Sequence, residues 1–269
     1  MTQAKLSPTL SPDARCAPAS GRAILQVSGE DRVKLLQGLV TQDLERVARD
    51  GIGYSALLTP QGKLIADFML VHQEDALLID MDEALAEDLA RRLTMFKLRS
   101  KAEIARLEMP VTRGIGPMPE GALEDPRHPS LGWRLYGAAL EQGEPVDWDA
   151  LRIAARVPKI GLELQSGDSF ILELGFERLH GVDFRKGCFV GQEVTARMHH
   201  RTSLRRRLMV VSLSQPVPAG SVVVNENDRE VGVVYTQAEG RGLAHLRVDR
   251  AEGVLRAGEA EVRVLDSGE

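Results

Sequence analysis

The sequence is poor in cysteine and in aromatic residues. Its 269 residues include two cysteines, Cys16 and Cys188, and only 4% Phe, Trp and Tyr. Two distant cysteines cannot form the disulfide framework of a small secreted domain, so we expect a reducing compartment and predict a cytoplasmic location. The shortage of aromatic side chains argues against a stacking platform for single-stranded nucleic acid.

Long apolar runs and targeting segments are also missing. No stretch approaches the roughly 20 apolar residues that a transmembrane helix needs, so we expect no membrane partner. Residues 1–20 carry three prolines and no apolar run, which argues against a signal peptide and predicts a loose leader. The GIGYSA and GIGP segments lack the strand and helix that surround a nucleotide-binding glycine loop. The formal net charge of −5 argues against direct nucleic-acid binding by the whole molecule.

What is present is the periodicity of an α+β fold. Strands are predicted at 22–28, 54–58, 64–71, 76–81 and 101–108, with a hairpin turn at 59–63. Helical spacing predicts one helix through Val33, Leu36, Val40 and Leu44, and another, capped by Asp82, with Leu85, Leu89, Leu93 and Phe96 on one face. Because helices and hairpins are mixed, the pattern is α+β and not a strict succession of parallel βαβ units.

The composition changes near residue 199, where the chain reads HHRTSLRRR. Beyond this point β-branched strands alternate with turns, which predicts a small antiparallel barrel or sandwich. We therefore divide the chain into a leader at 1–20, an α+β region of two interleaved subdomains at 21–198, and a C-terminal β-barrel at 199–269.

The stretch FRKGCFVGQE, residues 184–193, surrounds one cysteine with features that favour a reactive thiol. Two flanking glycines allow an exposed tight turn, and a helix is predicted at 191–198, directly after Cys188. The helix N-terminus and the charges of Arg185 and Lys186 favour the thiolate, which is the nucleophilic form of the side chain. A small buried hydrophobic residue is the commoner role of a free cysteine, and this alternative stays open.

The sequence offers too few ligands for a metal site of its own. It has no CxxC motif, and His199 and His200 follow Cys188 by eleven and twelve residues. An iron–sulfur cluster takes about four cysteine or histidine ligands. We therefore predict no resident metal and expect any cluster chemistry to need ligands from a partner. Solvated surface histidines are the plainer interpretation of His199 and His200.

Positive charge is concentrated in one part of the chain. Residues 178–207 contain eight Lys or Arg against two acids, a balance of +6 in a chain of net charge −5. Such asymmetry is typical of a site for a polyanionic cofactor tail, RNA or an acidic partner. It is equally typical of a strand edge protected by charge.

The stretch KGCFVGQE, residues 186–193, resembles the signature of the YgfZ-type folate-binding proteins, whose mitochondrial relatives work in iron–sulfur cluster assembly. The segments at 35–47, 54–70 and 231–249 resemble the same family, in the same order, so the likeness covers most of the chain from about residue 20 onward. The wider superfamily is that of the glycine-cleavage T protein, an aminomethyltransferase that uses tetrahydrofolate.

This resemblance implies a fold, a cofactor and partners. The fold would be a ring-like arrangement of α+β, ferredoxin-like subdomains around a central folate pocket, with a C-terminal antiparallel β-barrel. The cofactor would be tetrahydrofolate or a derivative. The partners would be iron–sulfur assembly proteins or their client apoproteins, and the protein would serve as an accessory factor in assembling or repairing iron–sulfur proteins.

The resemblance also implies site residues. Cys188 would be the functional thiol and Lys186 its helper in the catalytic role. The cofactor-binding positions would be Tyr54, Asp67, Arg152, Glu163, Gln192 and Glu193. A carboxylate at Glu163 suits the N–H donors of a pterin edge, and a guanidinium at Arg152 suits a glutamate tail. From the residues alone, a surface Arg–Glu ion pair is the better explanation of these two positions, and only the resemblance favours the folate.

Two other functions remain open. The T proteins carry paired aspartates where this chain reads Ala66-Asp67, so a folate-dependent aminomethyltransferase would retain one carboxylate of the two, and transferase activity is doubtful. A non-catalytic adaptor is the third hypothesis, with the basic residues 197–207 binding RNA or an acidic partner.

Overall fold

The computed structural model describes residues 9–200 and 204–266, which form two compact units. The described part of the first unit runs up to Leu35 and continues with Leu44–Gly53 and Phe68–Asp147. The second unit combines Leu36–Asp43, Tyr54–Asp67 and the chain from Trp148 onward. Residues 1–8 of the predicted leader, and 201–203 of the predicted basic segment, lie outside the described residues.

Fifteen strands and five α-helices make up the two units over the described ranges. In chain order they are β1 (Arg15–Pro18), β2 (Arg22–Ser28), α1 (Arg32–Gln37), α2 (Leu44–Asp50), β3 (Ile52–Leu58), β4 (Leu64–His72), β5 (Ala76–Asp82), α3 (Glu83–Lys97), β6 (Glu103–Leu107), β7 (Val111–Ile115), β8 (Leu123–Glu124), β9 (Trp133–Tyr136), α4 (Trp148–Ala154), α5 (Gln192–His199), β10 (Arg206–Leu213), β11 (Ser221–Asn225), β12 (Glu230–Ala238), β13 (Arg241–Arg247), β14 (Leu255–Ala257) and β15 (Ala260–Asp266). Among residues 9–200 and 204–266, every helix is too short or too polar to pass through a lipid bilayer.

Two antiparallel sheets build the first unit. In one, residues 68–72 of β4 pair with β5, which pairs with β2, which pairs with β6. Helix α3 covers this sheet and begins where the Asp82 carboxylate accepts a hydrogen bond from the Ala84 amide. The buried part of its apolar face ends at Leu93, because Phe96, predicted on the same face, is 40% exposed.

The second sheet of the first unit has the strand order β1-β7-β9-β8 and corrects the predicted leader. Residues 15–18 of that leader form β1, which pairs antiparallel with β7. Cys16 lies in β1, is 4% exposed and belongs to a core cluster with Trp133. The leader prediction is therefore wrong for this stretch, where paired apolar residues outweigh the nearby prolines.

The single helix predicted through Val33 and Leu44 is also wrong. Helix α1 ends at Gln37, and α2 begins only at Leu44. Between them Val40 makes an isolated antiparallel bridge with Leu57 of β3. The apolar spacing is helical throughout, but the backbone of residues 38–43 leaves the helix to pair with the hairpin strand.

The C-terminal part of the second unit is a closed barrel of six strands, in the order β10-β13-β12-β11-β14-β15. Strand pairs around the barrel are antiparallel. Its core is aliphatic and includes Met209, Val211, Val234 and Leu246. The predicted α+β class and C-terminal antiparallel barrel are therefore confirmed.

Candidate functional site

The hairpin tip and helix α5 of the second unit meet at two glycines. Gly191 has a φ of +82°, and a Cβ there would lie 2.6 Å from the Thr59 carbonyl oxygen. A Cβ on Gly62, in the hairpin turn, would lie 2.9 Å from Cβ of Val194 in α5. The absence of side chains at these two positions lets the turn pack against the start of the helix.

The Cys188 loop, residues 182–191, precedes α5. Cys188 is exposed, whereas Phe189, the next residue, is 6% exposed and anchors the loop in the protein. A Cβ on Gly187 would meet nothing within 4 Å. The other thiol, Cys16, is 4% exposed, so Cys188 is the accessible cysteine of the two. The helix begins at Gln192, four residues after Cys188.

Lys186 holds the Cys188 loop through two backbone carbonyls. Its side chain is buried, and Nζ donates hydrogen bonds to the carbonyl oxygens of Val40 at 2.6 Å and Gln42 at 2.9 Å. Burial lowers the pKa of Lys186 to about 8, and the nearby carboxylates of Asp43 and Asp183 oppose that effect. The ammonium therefore acts as a structural donor in this conformation.

The carbonyls that receive Lys186 belong to a support segment, residues 40–43, which sequence reasoning missed. Thr41 Oγ1 donates to the carbonyl of Gly181 at 2.6 Å, and the Thr41 carbonyl accepts from the Asp183 amide at 3.0 Å. The side-chain amide of Gln42 donates to the carbonyl of His180. Thr41 and Gln42 are both buried, so these bonds are shielded from water.

The other side of the support segment is fixed to strand β3. Thr41 Oγ1 accepts from the Ala56 amide at 2.9 Å, and the Gln42 amide donates to Ser55 Oγ at 3.1 Å. The segment therefore connects the hairpin strand to the chain just before Cys188. The sequence held one signal for this segment, the adjacent polar residues Thr41 and Gln42 inside an apolar helical pattern. Buried polar side chains need specific hydrogen-bond partners.

Tyr54 and Asp67 come together on the two strands of the hairpin. Tyr54 Oη donates to Asp67 Oδ2 at 2.8 Å. The Tyr54 ring is fully buried and lies 4.8 Å from the Phe176 ring, measured between centroids. A Cβ on Gly181 would lie 2.8 Å from Cδ1 of Tyr54, so the backbone of Gly181 approaches that ring closely. The carboxylate of Asp67 is half-buried.

Arg152 and Glu163 form a buried ion pair that is already saturated. Glu163 Oε1 accepts from the Thr236 amide at 3.1 Å and from Thr236 Oγ1 at 2.5 Å. Its Oε2 accepts from the Lys159 amide at 2.9 Å and from Arg152 Nη1 at 3.3 Å. Arg152 Nη2 also donates to Thr236 Oγ1 at 2.7 Å. Four donors occupy the carboxylate, and the pair fastens α4 to strand β12 of the barrel.

Gln192 and Glu193 lie in the first turn of α5 and make weak contacts. Gln192 Nε2 lies 3.5 Å from the Gly187 carbonyl oxygen. Glu193 pairs with Arg197 at 2.8 Å on an exposed helix face, where an ion pair contributes little. Within residues 9–200 and 204–266, no group of three or more His, Cys, Asp or Glu side chains is placed to hold a metal ion.

Comparisons with known proteins agree with this architecture. The C-terminal β-barrel domain model of CAF17 matches residues 205–267. A glycine cleavage system aminomethyltransferase T from Bartonella henselae superposes with a TM-score of 0.77 at 17% identity, over 95% of this chain and 86% of that one. The chain has the aminomethyltransferase fold. The predicted T-protein-like fold is thereby confirmed.

Curated relatives share sequence as well. The iron–sulfur cluster assembly factor IBA57 homolog of Mycosarcoma maydis is 32% identical over 240 residues, which covers 76% of this chain and 59% of that protein. The mouse IBA57 is 28% identical over 296 residues, covering 93% of this chain and 82% of the relative. The human IBA57 is 28% identical over 282 residues, covering 89% of this chain and 79% of the relative. The chain thus spans less than two thirds of the fungal relative.

These relatives overturn the predicted cytoplasmic location, because all three are mitochondrial proteins. The prediction rested on a low cysteine count and on the lack of an apolar run that would serve as a signal peptide or membrane span, and both observations fit more than one compartment.

Proposed function

We propose that this protein is an accessory factor for the assembly or repair of iron–sulfur proteins, of the YgfZ type, with Cys188 as its functional thiol. The observation that carries the proposal is an exposed cysteine on a loop that is anchored by buried Phe189 and by the hydrogen bonds of buried Lys186. The relatives named as iron–sulfur cluster assembly factors support the same role.

The thiol would act on a cluster that is cargo and not a resident group. A lone cysteine provides one ligand of the about four that a cluster needs. The remaining ligands would come from an iron–sulfur assembly protein or a client apoprotein. As a ligand, the thiol gives up its proton and the sulfur donates an electron pair to iron. An exposed thiol on a fixed support suits such a temporary bond, because little ordering of the loop is needed on contact.

Tetrahydrofolate is the proposed cofactor, and the Tyr54 and Asp67 pair fits it. A half-buried carboxylate held by a tyrosine hydroxyl can accept N–H donors from a pterin edge. Arg152 and Glu163 fit it less well, since the carboxylate is saturated by protein donors. A bound folate would carry the one-carbon unit, and the residues of this chain would orient the folate.

Genetic complementation tests the thiol. In a strain that lacks the protein, we expect Cys188→Ala and Cys188→Ser to leave the activity of an iron–sulfur enzyme low. Cys16→Ala is the matched control, because Cys16 is buried in the first unit, and it should restore activity. Full restoration by Cys188→Ala would rule out the proposed role.

Calorimetry with tetrahydrofolate tests the cofactor separately. We expect the wild-type protein to bind and Asp67→Asn to bind about tenfold more weakly, because a charge-assisted hydrogen bond is lost. Asp168→Asn serves as the control, since that side chain is 86% exposed. If the wild type does not bind tetrahydrofolate, the proposed cofactor is wrong, while the proposed role of the Cys188 thiol is unaffected.

The retained Asp67 also supports a second candidate, a folate-dependent aminomethyltransferase. Methylene transfer to tetrahydrofolate from an aminomethyl donor would reveal it, with Asp67→Asn as the inactive comparison. No turnover by the wild type eliminates this candidate.

A further inference from the structure

Two adjoining grooves lie in the second unit. One has a volume of about 410 Å³ and the other of about 480 Å³, and they share Glu173 and Leu204 in their walls. The short 3₁₀ helix Ile171–Leu174 contributes to both, the start of β10 lines the first, and α5 lines the second. We refer to both together as the α5 groove.

The floor of the α5 groove is apolar. Leu172 and Leu208 line the first part, and Val194 and Met198 of α5 line the second. Leu204 is common to both parts and is partly exposed. Apolar side chains at the bottom of an open groove favour an occupant that brings apolar side chains of its own.

The rim of the groove is positively charged. Five arginines contribute to the walls, namely Arg156, Arg178, Arg197, Arg205 and Arg207. The walls hold two acids, Glu173, which lies 3.3 Å from His245, and Glu177, which lies 2.9 Å from His199, so the arginines outnumber the carboxylates by five to two. The excess of arginine stands out in a chain whose formal net charge is −5.

Two of these arginines have charge to offer to an occupant, because Arg205 and Arg207 make no ion pair with any residue in 9–200 or 204–266. Arg178 donates to the carbonyl oxygens of Ala155 at 2.9 Å and Arg156 at 2.7 Å, which fixes the position of its guanidinium in the wall.

We propose that the α5 groove docks an acidic segment of a partner protein that also carries apolar side chains. Its carboxylates would pair with the arginine rim, and its apolar side chains would cover the floor. RNA fits less well, because Phe170 is the single aromatic side chain among the residues that line these two grooves, which leaves little surface for stacking bases. The inference rests on neither the folate nor the thiol.

The position of the groove along the chain links docking to the Cys188 loop. Helix α5 begins four residues after Cys188, and Val194, Arg197 and Met198 of the same helix line the groove. A partner segment bound there would lie along the helix that the loop precedes.

Fluorescence anisotropy with a labelled peptide of alternating glutamate and leucine tests the proposal on the full chain. We expect binding that weakens as salt is raised. The double variant Arg205→Gln, Arg207→Gln should bind about tenfold more weakly. The control, Arg229→Gln with Arg241→Gln, removes the same charge from the barrel outside the groove and should bind like the wild type. Equal binding by both double variants would overturn the proposal.

Further arms separate the alternatives. Replacing the leucines of the peptide with serine should weaken binding, and unchanged affinity would contradict the role of the apolar floor. Oligouridine is the RNA probe. If it binds the wild type and not the Arg205→Gln, Arg207→Gln variant, while the peptide binds neither, the groove is an RNA site and the proposal is wrong. No binding of the peptide to the wild type would also refute the proposal.

Methyl NMR of methionine locates the binding without relying on the arginine variants. The Met198 methyl, in the groove, should shift on peptide addition, whereas that of Met209, in the barrel core, should stay in place. A single variant, Met198→Glu, places a negative charge on the floor and should abolish binding. If Met198 does not shift while the peptide binds, the groove is not the docking site.

Discussion

At the scale of single residues, the buried charges of the second unit are used to hold segments together. The ammonium of Lys186 donates to two carbonyls of the support segment, and the carboxylate of Glu163 accepts from four donors that belong to three residues. Both residues were predicted at the functional site by resemblance. Their contacts make each of them a positioning residue: Lys186 acts through the Cys188 loop and Glu163 through the barrel.

The lowered pKa of Lys186 predicts a pH effect on stability. The pKa of a lysine in the unfolded chain is about 10.4, whereas burial lowers the pKa of Lys186 in the folded protein to about 8. Below pH 8 both states are protonated, and the folded state bears the full cost of the buried charge. Between these values the unfolded state binds more protons, so the free energy of unfolding rises with pH, by up to about 3 kcal/mol.

Denaturant unfolding at several pH values checks this expectation. The wild type should gain stability relative to Lys186→Met between about pH 8 and pH 10.4. The comparison uses the slope of the free energy of unfolding against pH in each protein. The variant also leaves two carbonyls unpaired, but that loss is the same at each pH and does not change the slope. Parallel curves for the two proteins would contradict the assignment.

Glu163→Gln should destabilise the protein strongly. Glutamine presents an NH₂ group where four donors now converge, and it leaves the buried Arg152 with only the half-exposed Asp149 as counter-charge, so we expect a loss of about 3 kcal/mol in the free energy of unfolding. Glu193→Gln makes the same chemical change in an exposed pair and should cost less than about 0.5 kcal/mol. Similar losses in urea unfolding for both variants would show that the buried pair is not structural.

At the scale of elements, the hairpin turn fixes where α5 begins. Gly191→Ala should disrupt this contact, because its φ is +82° and the added methyl would lie 2.6 Å from the Thr59 carbonyl oxygen. We expect a loss of about 2 kcal/mol or more. Gly187→Ala, on the other side of Cys188, meets open space and should change stability by less than about 0.5 kcal/mol. Thermal unfolding of the two variants measures the difference, and a stable Gly191→Ala protein would contradict the packing.

The elements also show what a sequence can and cannot predict. The hairpin, α3 and the barrel follow from local periodicity, because each buries one regular face. The break between α1 and α2 does not follow from it, since residues 38–43 keep helical apolar spacing while Thr41 bonds to partners 15 and 140 positions away. The motif around Cys188 predicted an exposed thiol, but the support beneath it depends on those distant contacts.

At the scale of the whole molecule, the first unit has its own buried charge network. Asp80 is fully buried and accepts from Arg22 at 2.7 Å, Arg134 at 2.8 Å and Tyr136 at 3.0 Å, which joins its two sheets. Burial would raise the pKa of Asp80, but Arg22 and Arg134 outweigh it and hold that pKa below its usual range.

Asp80→Asn should therefore be among the most destabilising single changes in the first unit. The partly buried Arg22 would lose its counter-charge and the buried Arg134 would keep only Asp125, so we expect a loss of about 3–5 kcal/mol. Asp88→Asn, which removes a half-exposed partner of Arg91 and Arg92, should cost less than about 1 kcal/mol. Differential scanning calorimetry gives both values, and a mild effect at Asp80 would show that the network contributes little.

The support segment also sets an order of events during synthesis. Thr41 leaves the ribosome 140 residues before Gly181, the carbonyl that its hydroxyl must reach. At about 5–20 residues per second, the nascent chain carries this segment for about 7–28 s before its partner exists. The thiol loop is thus finished late in translation, after both strands of the hairpin have emerged.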